Sequence, residues 1–156
     1  MLNRKMTLIL IISIMVIVLA AAGCGGGSGL QRVSGLSSDD VVKTFFNAAK
    51  SGQLNEAALY VAPSSKNDPQ TVLKYLTGQS GLEVIKHANL LSLKKVTEQG
   101  NYAVVVATLQ PEQNSLALTV KPVGLEKING EWYIVDFSKI YQDSKYQLLQ
   151  QLLSKI

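Results

Sequence analysis

The chain has 156 residues, of which 47% are hydrophobic and 17% are charged, a composition that suits one domain with a single hydrophobic core. Its net charge is +4, and apart from Lys94-Lys95 its lysines are scattered singly, which excludes the basic stripe of a nucleic-acid-binding protein. With one cysteine, the chain cannot form an intrachain disulfide.

The N-terminus has the three-part layout of a secretory signal. A basic start, Met1–Lys5, precedes an apolar run, Met6–Leu19, and a stretch of small residues that ends at Cys24. Counted on to Ala22, the apolar run is also close to the shortest helix that crosses a hydrocarbon core of ~30 Å, so an uncleaved membrane anchor is the alternative. Both interpretations place the following domain outside the cytoplasm, because the basic start favours the cytoplasmic side.

The segment Ala21-Ala22-Gly23-Cys24 resembles the lipobox of bacterial lipoproteins. The resemblance implies cleavage between Gly23 and Cys24 and attachment of a diacylglyceryl group to the Cys24 thiol. The motif favours leucine at position 21, where this chain has Ala21. Two acyl chains anchor a protein stably, at about 0.8 kcal/mol per buried methylene. We therefore expect a signal peptide at 1–23 and a protein held by membrane lipid through Cys24, on the extracytoplasmic face of the cell membrane.

A tether is expected between the anchor and the domain, over residues 24–36. Gly25–Gly29 reads GGGSG, and Leu30–Gly35 has little surface to bury, so the ordering entropy of this segment is not offset. The thirteen residues from Cys24 to Ser37 give a flexible chain a typical reach of about 20 Å.

The expected domain, residues 37–156, begins with helical periodicity. Ser37 suits an N-cap, and apolar residues follow it at the spacing of one buried helix face as far as Ala49. Shorter helices are predicted over Leu54–Val61 and over Pro69–Thr77, the second capped by Asp68.

The second part of the domain has extended runs rich in β-branched residues, which predict a sheet. The predicted strands are Val84–Leu93, Lys94–Glu98, Tyr102–Gln110, Ser115–Val120, Val123–Ile128 and Trp132–Phe137. Both faces of Tyr102–Gln110 are apolar, so this strand is expected to be central.

Two local signals shape the predicted sheet. Asn129 and Gly130 suit the positive φ angles of a type I′ hairpin, which would pair Ile128 with Glu131. The proline and glycine of Pro122–Gly124 predict a bulge that bends the sheet.

The last segment, Ser138–Ile156, carries its apolar residues on a helical stripe. We expect this helix to pack on its own domain, with a partner or the bilayer surface as the alternative. The predicted fold class is α+β: a curved antiparallel sheet of four to six strands packed against N-terminal helices in a cone-like form, plus a C-terminal amphipathic helix.

Two segments carry a family resemblance, Val41–Gly52 (VVKTFFNAAKSG) and Gly130–Phe137 (GEWYIVDF). With the order of elements, they resemble the nuclear transport factor 2-like, or cystatin-like, superfamily. More narrowly, they resemble its small bacterial lipoprotein domains of unknown function, some of them labelled lumazine-binding-like. The resemblance covers about residues 37–137. Catalytic members of that superfamily place Asp, His, Tyr or Arg in a cone-shaped pocket, and no such set matches this chain residue by residue.

Few residues suggest chemistry. Asp136 is a candidate pocket acid or base with Tyr102 or Tyr133 as hydrogen-bond donor, and a surface aspartate is the alternative. Trp132 and Tyr133 point to opposite faces of a strand, so one belongs to the core and the other is available to a pocket or interface. His87, with one carboxylate at helical spacing, makes a poor metal site. No metal or cofactor is predicted.

The sequence therefore predicts a lipid-anchored, non-catalytic binding or assembly module of the bacterial cell envelope, for a small ligand or an envelope protein. The alternative is a small pocket enzyme of isomerase or dehydratase type that uses Asp136. A homodimer through the open sheet face or the C-terminal helix is a further expectation, and no nucleic-acid partner is expected.

Overall fold

The computed structural model describes residues 30–78, 82–112 and 116–156. The predicted signal, its cleavage site at Gly23, the lipidation site at Cys24 and the segment Gly25–Gly29 lie outside the described residues. The helices are α1 (Ser38–Lys50), α2 (Leu54–Ala58), α3 (Pro69–Thr77), α4 (Leu82–His87), α5 (Phe137–Gln142) and α6 (Gln147–Leu153), with 3-10 turns at Pro63–Ser65 and Ser144–Tyr146. The strands are β1 (Asn89–Gln99), β2 (Tyr102–Gln110), β3 (Thr119–Ile128) and β4 (Glu131–Ile134). Within the described ranges, every helix is too short or too polar to span a bilayer.

The predicted α+β class is confirmed. Four antiparallel strands pair in the order β1-β2-β3-β4, with β2 inside the sheet as its two apolar faces predicted. Two register shifts bend β1, one between Leu90 and Ser92 and one between Lys95 and Thr97.

The bulge predicted at Pro122–Gly124 is wrong, because β3 runs through this segment in unbroken register, with Pro122 opposite Val106. The short strand β4 pairs only with Leu125–Ile128. Pro122 therefore lies where one side of β3 has no partner strand, and a residue without an N–H is tolerated at such an edge.

The hairpin predicted at Asn129 and Gly130 is confirmed. These residues have φ angles of 52° and 86°, and Ile128 lies opposite Glu131. Positive φ at both central positions matches the twist of the flanking strands, so this turn sets the register of β3 against β4.

Two of the predicted helix starts are also confirmed. Ser37 caps α1 through its hydroxyl oxygen, which accepts from the Asp40 N–H at 3.3 Å. Asp68 caps α3 by accepting from the Gln70 N–H at 2.9 Å. The second predicted helix ends at Ala58, three residues earlier than the apolar pattern suggested.

The strand predicted over Val84–Leu93 is wrong in its first half, where α4 forms instead. Its Glu83 and Lys86 make an ion pair of 2.7 Å across one helical turn. Strand β1 then continues through the predicted break at Leu93. At the other end of the sheet, β4 stops at Ile134 and Phe137 begins α5.

Helices cover both faces of the sheet. Helix α1 buries Phe45 and Phe46 on one face, together with Tyr60 from the segment after α2. On the other face, α5 and α6 bury Ile140 and Leu149. A methyl group added to Gly124 of β3 would lie 2.6 Å from the Ile140 Cδ1 atom, so the glycine allows this close approach.

The single helix predicted over Ser138–Ile156 is wrong, because it breaks at Asp143 into α5, a 3-10 turn and α6. Its apolar stripe nevertheless packs on its own domain as expected, with Leu149, Leu152 and Leu153 buried. These leucines are therefore covered by this chain's own sheet, while Tyr141 and Ile156 of the same stripe are exposed.

Candidate functional site

The four residues predicted to line a pocket lie in three different environments. Trp132 is buried in the core on the α1 side. Tyr102 and Tyr133 lie on the other face, where both stand opposite Glu126 in the strand register. Asp136 follows β4 and precedes α5. The structure thus places the two tyrosines on one face of the sheet, on either side of Glu126, and leaves the other two residues apart.

Asp136 borders a shallow groove of about 360 Å³ between α3, β3 and the start of α5. Its floor is aromatic, because the rings of Tyr75 and Phe137 stack with centroids 4.4 Å apart and planes inclined by 11°. The Lys121 ammonium lies 5.2 Å from the Tyr75 ring centroid. The lining residues are Thr71, Lys74, Tyr75, Gly78, Lys121, Asp136, Phe137 and Ser138.

The Asp136 carboxylate is occupied as the N-cap of α5. One oxygen accepts from the Ser138 N–H at 3.0 Å and the other from the Ser138 hydroxyl at 2.9 Å. The Asp136 N–H donates to the Ser65 hydroxyl at 2.9 Å. A carboxylate held in this way is primarily a helix cap, and a role as a base would compete with these bonds.

The groove combines cations with an apolar floor. Lys74 and Lys121 supply two positive charges, while the Asp136 carboxylate is turned into its own helix cap. Tyr75 donates its hydroxyl hydrogen to the Pro122 carbonyl at 2.8 Å, and burial, with a smaller effect of Tyr141, raises the pKa of Tyr75. The groove therefore suits a small anion that carries a flat apolar group.

Sequence reasoning missed a second polar group, the Glu126 cluster, which consists of Ser64, Glu126, Lys145 and Tyr146. The Lys145 ammonium lies 2.6 Å from one oxygen of the buried Glu126, and the Tyr146 hydroxyl donates to the other at 3.0 Å. The Ser64 hydroxyl lies 2.5 Å from that of Tyr146. Because both carboxylate oxygens have partners, the cluster attaches the C-terminal turn to the sheet.

The pKa shifts in this cluster follow from its burial and its hydrogen bonds. Burial raises the pKa of the Tyr146 hydroxyl, and the hydrogen bond to Glu126 raises the pKa of Lys145. Burial also raises the pKa of Tyr102, whose hydroxyl donates to the Lys145 carbonyl at 3.1 Å. The hairpin register could have indicated this site, since it places Glu126 opposite Tyr133 within an otherwise apolar part of β3.

A third group, the Arg32 cluster, joins the start of the described chain to the domain. It consists of Arg32, Tyr60, Glu131 and Tyr133. The guanidinium carbon lies 4.4 Å from the Tyr133 ring centroid and 5.2 Å from that of Tyr60. One guanidinium nitrogen lies 2.5 Å from a Glu131 oxygen, and the others donate to the Leu59 carbonyl at 3.2 Å and to the Trp132 carbonyl.

Glu131 also holds the backbone that follows Arg32. The Gly35 N–H donates to both Glu131 oxygens, at 3.0 and 3.1 Å, and the Val33 N–H donates to the Tyr60 hydroxyl at 3.2 Å. The Arg32 hydrogen bond, followed by the Gly35 N–H, lowers the pKa of Glu131.

In the structure, the segment predicted to be a flexible tether is held to the domain from Arg32 onward. The low apolar content of this segment is offset by one arginine with charge-assisted hydrogen bonds and two aromatic contacts.

The fold is similar to that of a solved structure, whereas the sequence comparisons found no match. No protein-family model matches the chain, and no curated protein sequence matches it. A solved structure described as an NTF-2-like protein of unknown function, from Shewanella oneidensis MR-1, is similar with a TM-score of 0.43 and 15% sequence identity. The similarity covers 62% of this chain and 91% of that one.

In the part of the chain that the structure describes, His, Cys, Asp and Glu side chains form no group of three or more that could hold a metal ion. His87, the histidine considered from the sequence, lies exposed at the end of α4.

Proposed function

We propose that the protein is a lipid-anchored, extracytoplasmic binding or assembly module of the bacterial cell envelope, with a nuclear transport factor 2-like domain and no catalytic activity. Two features support this proposal. The N-terminal sequence has the layout of a secretory signal that ends in a lipobox-like Ala21-Ala22-Gly23-Cys24. The described domain offers a shallow groove rather than an enclosed site around its candidate acid.

The packing between α1 and the sheet is the observation that favours binding over catalysis. Phe45, Phe46 and Tyr60 are fully or almost fully buried there, against Val105 and Leu125 of the sheet. A cone-shaped catalytic pocket would need this volume. Large side chains occupy it, and among the described residues the surface groove beside Tyr75 and Phe137 is our candidate site for a small ligand.

The anchor can be tested by mass spectrometry of the full-length protein extracted from bacterial membranes. We expect an N-terminus at Cys24 that carries a diacylglyceryl group, and no such product from Cys24→Ser. Ala21→Leu restores the favoured residue of the motif and should increase the processed fraction. An unmodified Cys24 or an intact N-terminus would contradict the anchor.

The groove can be tested with 1-anilinonaphthalene-8-sulfonate, which has a flat apolar body and one negative charge. Lys74→Gln and Lys121→Gln should each weaken binding several-fold, because each removes a cation from the groove rim. Lys43→Gln, on an exposed position of α1, is the matched control. Equal affinities in all three variants would assign the dye to another surface.

The alternative, a small pocket enzyme that uses Asp136, has one observation in its favour: Asp136 and Tyr75 border the same groove. Asp136→Asn keeps a good N-cap while removing the acid, so the fold should survive the change. Activity on enolisable ketone or β-hydroxyacyl probes that is lost in this variant, at an unchanged melting temperature, would support the enzyme. Activity that persists in the variant would exclude Asp136 as its acid or base.

A homodimer is the remaining part of the proposal. The buried leucines of α6 pack against their own sheet, so the part of the sheet that the helices leave uncovered is the surface for a second copy. Val120 of β3 and Leu118 just before it are exposed there, as are Leu91 and Val96 of β1. Sedimentation of the protein over a range of concentrations would detect the dimer, and Val120→Lys should weaken it. A monomer at every concentration would contradict this part.

A further inference from the structure

We infer that the surface around Leu30 and Val33 faces the lipid bilayer when the protein is anchored, because the Arg32 cluster fixes where the chain leaves the domain. This inference rests on the proposed lipid anchor at Cys24. A long tether would let the domain turn freely above the bilayer, whereas a chain held at Arg32 limits which side of the domain can face the lipid.

The first step is the place where the chain joins the domain. Arg32 is held by an ion pair, two bonds to carbonyl oxygens and two aromatic rings, so the ordered chain begins there and not at Ser37. Leu30, two residues earlier, borders a shallow cavity of about 300 Å³ formed with the Gly52–Glu56 segment. The described chain therefore leaves the domain beside the segment that joins α1 to α2.

The second step is the length that remains. Eight residue steps separate Cys24 from Arg32. Fully extended they span at most about 29 Å, and a flexible chain of that length typically spans about 15 Å. A globular domain of this size has a diameter of about 36 Å, and a chain that starts on one side must pass around the outside to reach a bilayer on the other, which takes more than this diameter. Eight steps are therefore too short to let the opposite side of the domain reach the bilayer, whereas thirteen steps, up to about 47 Å, are long enough to bring it close.

The third step is the chemistry of this surface. Leu30 and Val33 are apolar, and they are 57% and 53% exposed. The segment that borders Leu30, Gly52–Glu56, covers the start of α2 and has Glu56 as its single charged residue. Two exposed aliphatic side chains near a segment with one charge suit the interfacial region of a bilayer, where apolar side chains gain by leaving water.

The inference can be tested by NMR on the lipidated protein, beginning at Cys24, in bilayer discs that contain a lipid with a gadolinium-chelated headgroup. Amide signals of residues 30–36 and 52–56 should lose several-fold more intensity than those of α6, on the other face of the sheet. In Arg32→Ala this difference in signal loss should disappear, because the segment after Leu30 is no longer held to the domain and a longer part of the chain can act as the tether. Lys95→Ala, which removes the exposed ion pair to Glu98 at 2.9 Å, is the matched control and should keep it.

Equal or greater attenuation of α6 in the unaltered protein would overturn the inference, and so would an unchanged pattern in Arg32→Ala. A parallel sample separates the inference from the anchor: the same chain, made without lipid and coupled chemically to a maleimide lipid through Cys24, its single cysteine. An absence of natural lipid on Cys24 would refute the anchor alone. Failure of the coupled sample to show the same attenuated surface would refute the orientation alone.

Discussion

The two ends of the described chain are each joined to the sheet by an ion pair, but the two pairs are arranged in opposite ways. In the Arg32 cluster the cation is the more buried partner, with side-chain exposures of 13% for Arg32 and 26% for Glu131. In the Glu126 cluster the carboxylate is the more buried partner, with 8% for Glu126 and 48% for Lys145. Loss of the cation therefore leaves a solvated carboxylate in the first cluster and a buried one in the second.

The two ends also differ in the apolar contacts beside the ion pair. Helices α5 and α6 bury Ile140, Leu149 and Leu152 against the sheet, whereas Leu30 and Val33 at the other end are exposed. We therefore expect the C-terminal helices to unfold with the whole domain. The segment from Leu30 to Gly35 should detach by itself at a lower free energy.

Among these changes, Leu149→Ala should lower the free energy of unfolding the most. Leu149 is fully buried between α6 and β3, so its truncation leaves a cavity and should lower the free energy of unfolding by about 2–4 kcal/mol. Gln151→Ala, at an exposed position of the same helix, should change it by less than about 0.5 kcal/mol. Urea denaturation measures both. Equal effects of the two changes would show that α6 is not part of the cooperative unit.

A smaller effect is expected from Tyr146→Phe. The change removes the hydroxyl that donates to Glu126 and leaves one buried carboxylate oxygen without a donor, which should lower the free energy of unfolding by about 1–3 kcal/mol. Tyr141→Phe removes an exposed hydroxyl from the same region and is the control. If the two variants are equally stable, water replaces the Tyr146 hydroxyl at no cost.

The smallest change in stability is expected at acidic pH, where the segment held by the Arg32 cluster should detach from the domain. Because Arg32 and the Gly35 N–H lower the pKa of Glu131, the attached state binds a proton less readily than the detached state. The stabilisation is complete above the ordinary glutamate pKa of about 4.3 and is lost as pH falls through the lowered pKa. The Gly35 amide signal should report this detachment between neutral and acidic pH, while α6 signals stay unchanged. A Gly35 signal that does not move, or a Glu131→Gln variant that titrates in the same way, would contradict the assignment.

Local patterns predicted most of the helices and strands. The Ser37 and Asp68 caps and the hairpin at Asn129 depend on neighbours within a few residues, and all three are confirmed. The predicted bulge at Pro122 failed because it depends on where β4 ends, which is a property of the neighbouring strand. The strand predicted across His87 failed because a short apolar run fits a strand and a buried helix equally well.

The candidate sites were harder to predict, because their residues are distant in sequence. Arg32 and Glu131 are 99 positions apart, and Ser64 meets Tyr146 across 82. Asp136 was noted from the sequence, but its role as the cap of α5 depends on β4 ending two residues earlier. Hydrophobic periodicity carries no information about such pairs.

The sequence by itself determined the lipobox-like N-terminus, the α+β class, the central strand and the Asn129 hairpin, because each follows from composition, periodicity or local backbone preference. Only the tertiary structure decided that helices pack on both faces of the sheet and that Glu126 is buried with two partners, Lys145 and Tyr146. It also decided that the chain leaves the domain at Arg32 rather than Ser37. The physical reason is common to all three: each depends on which distant side chains share a surface once the four strands are in register.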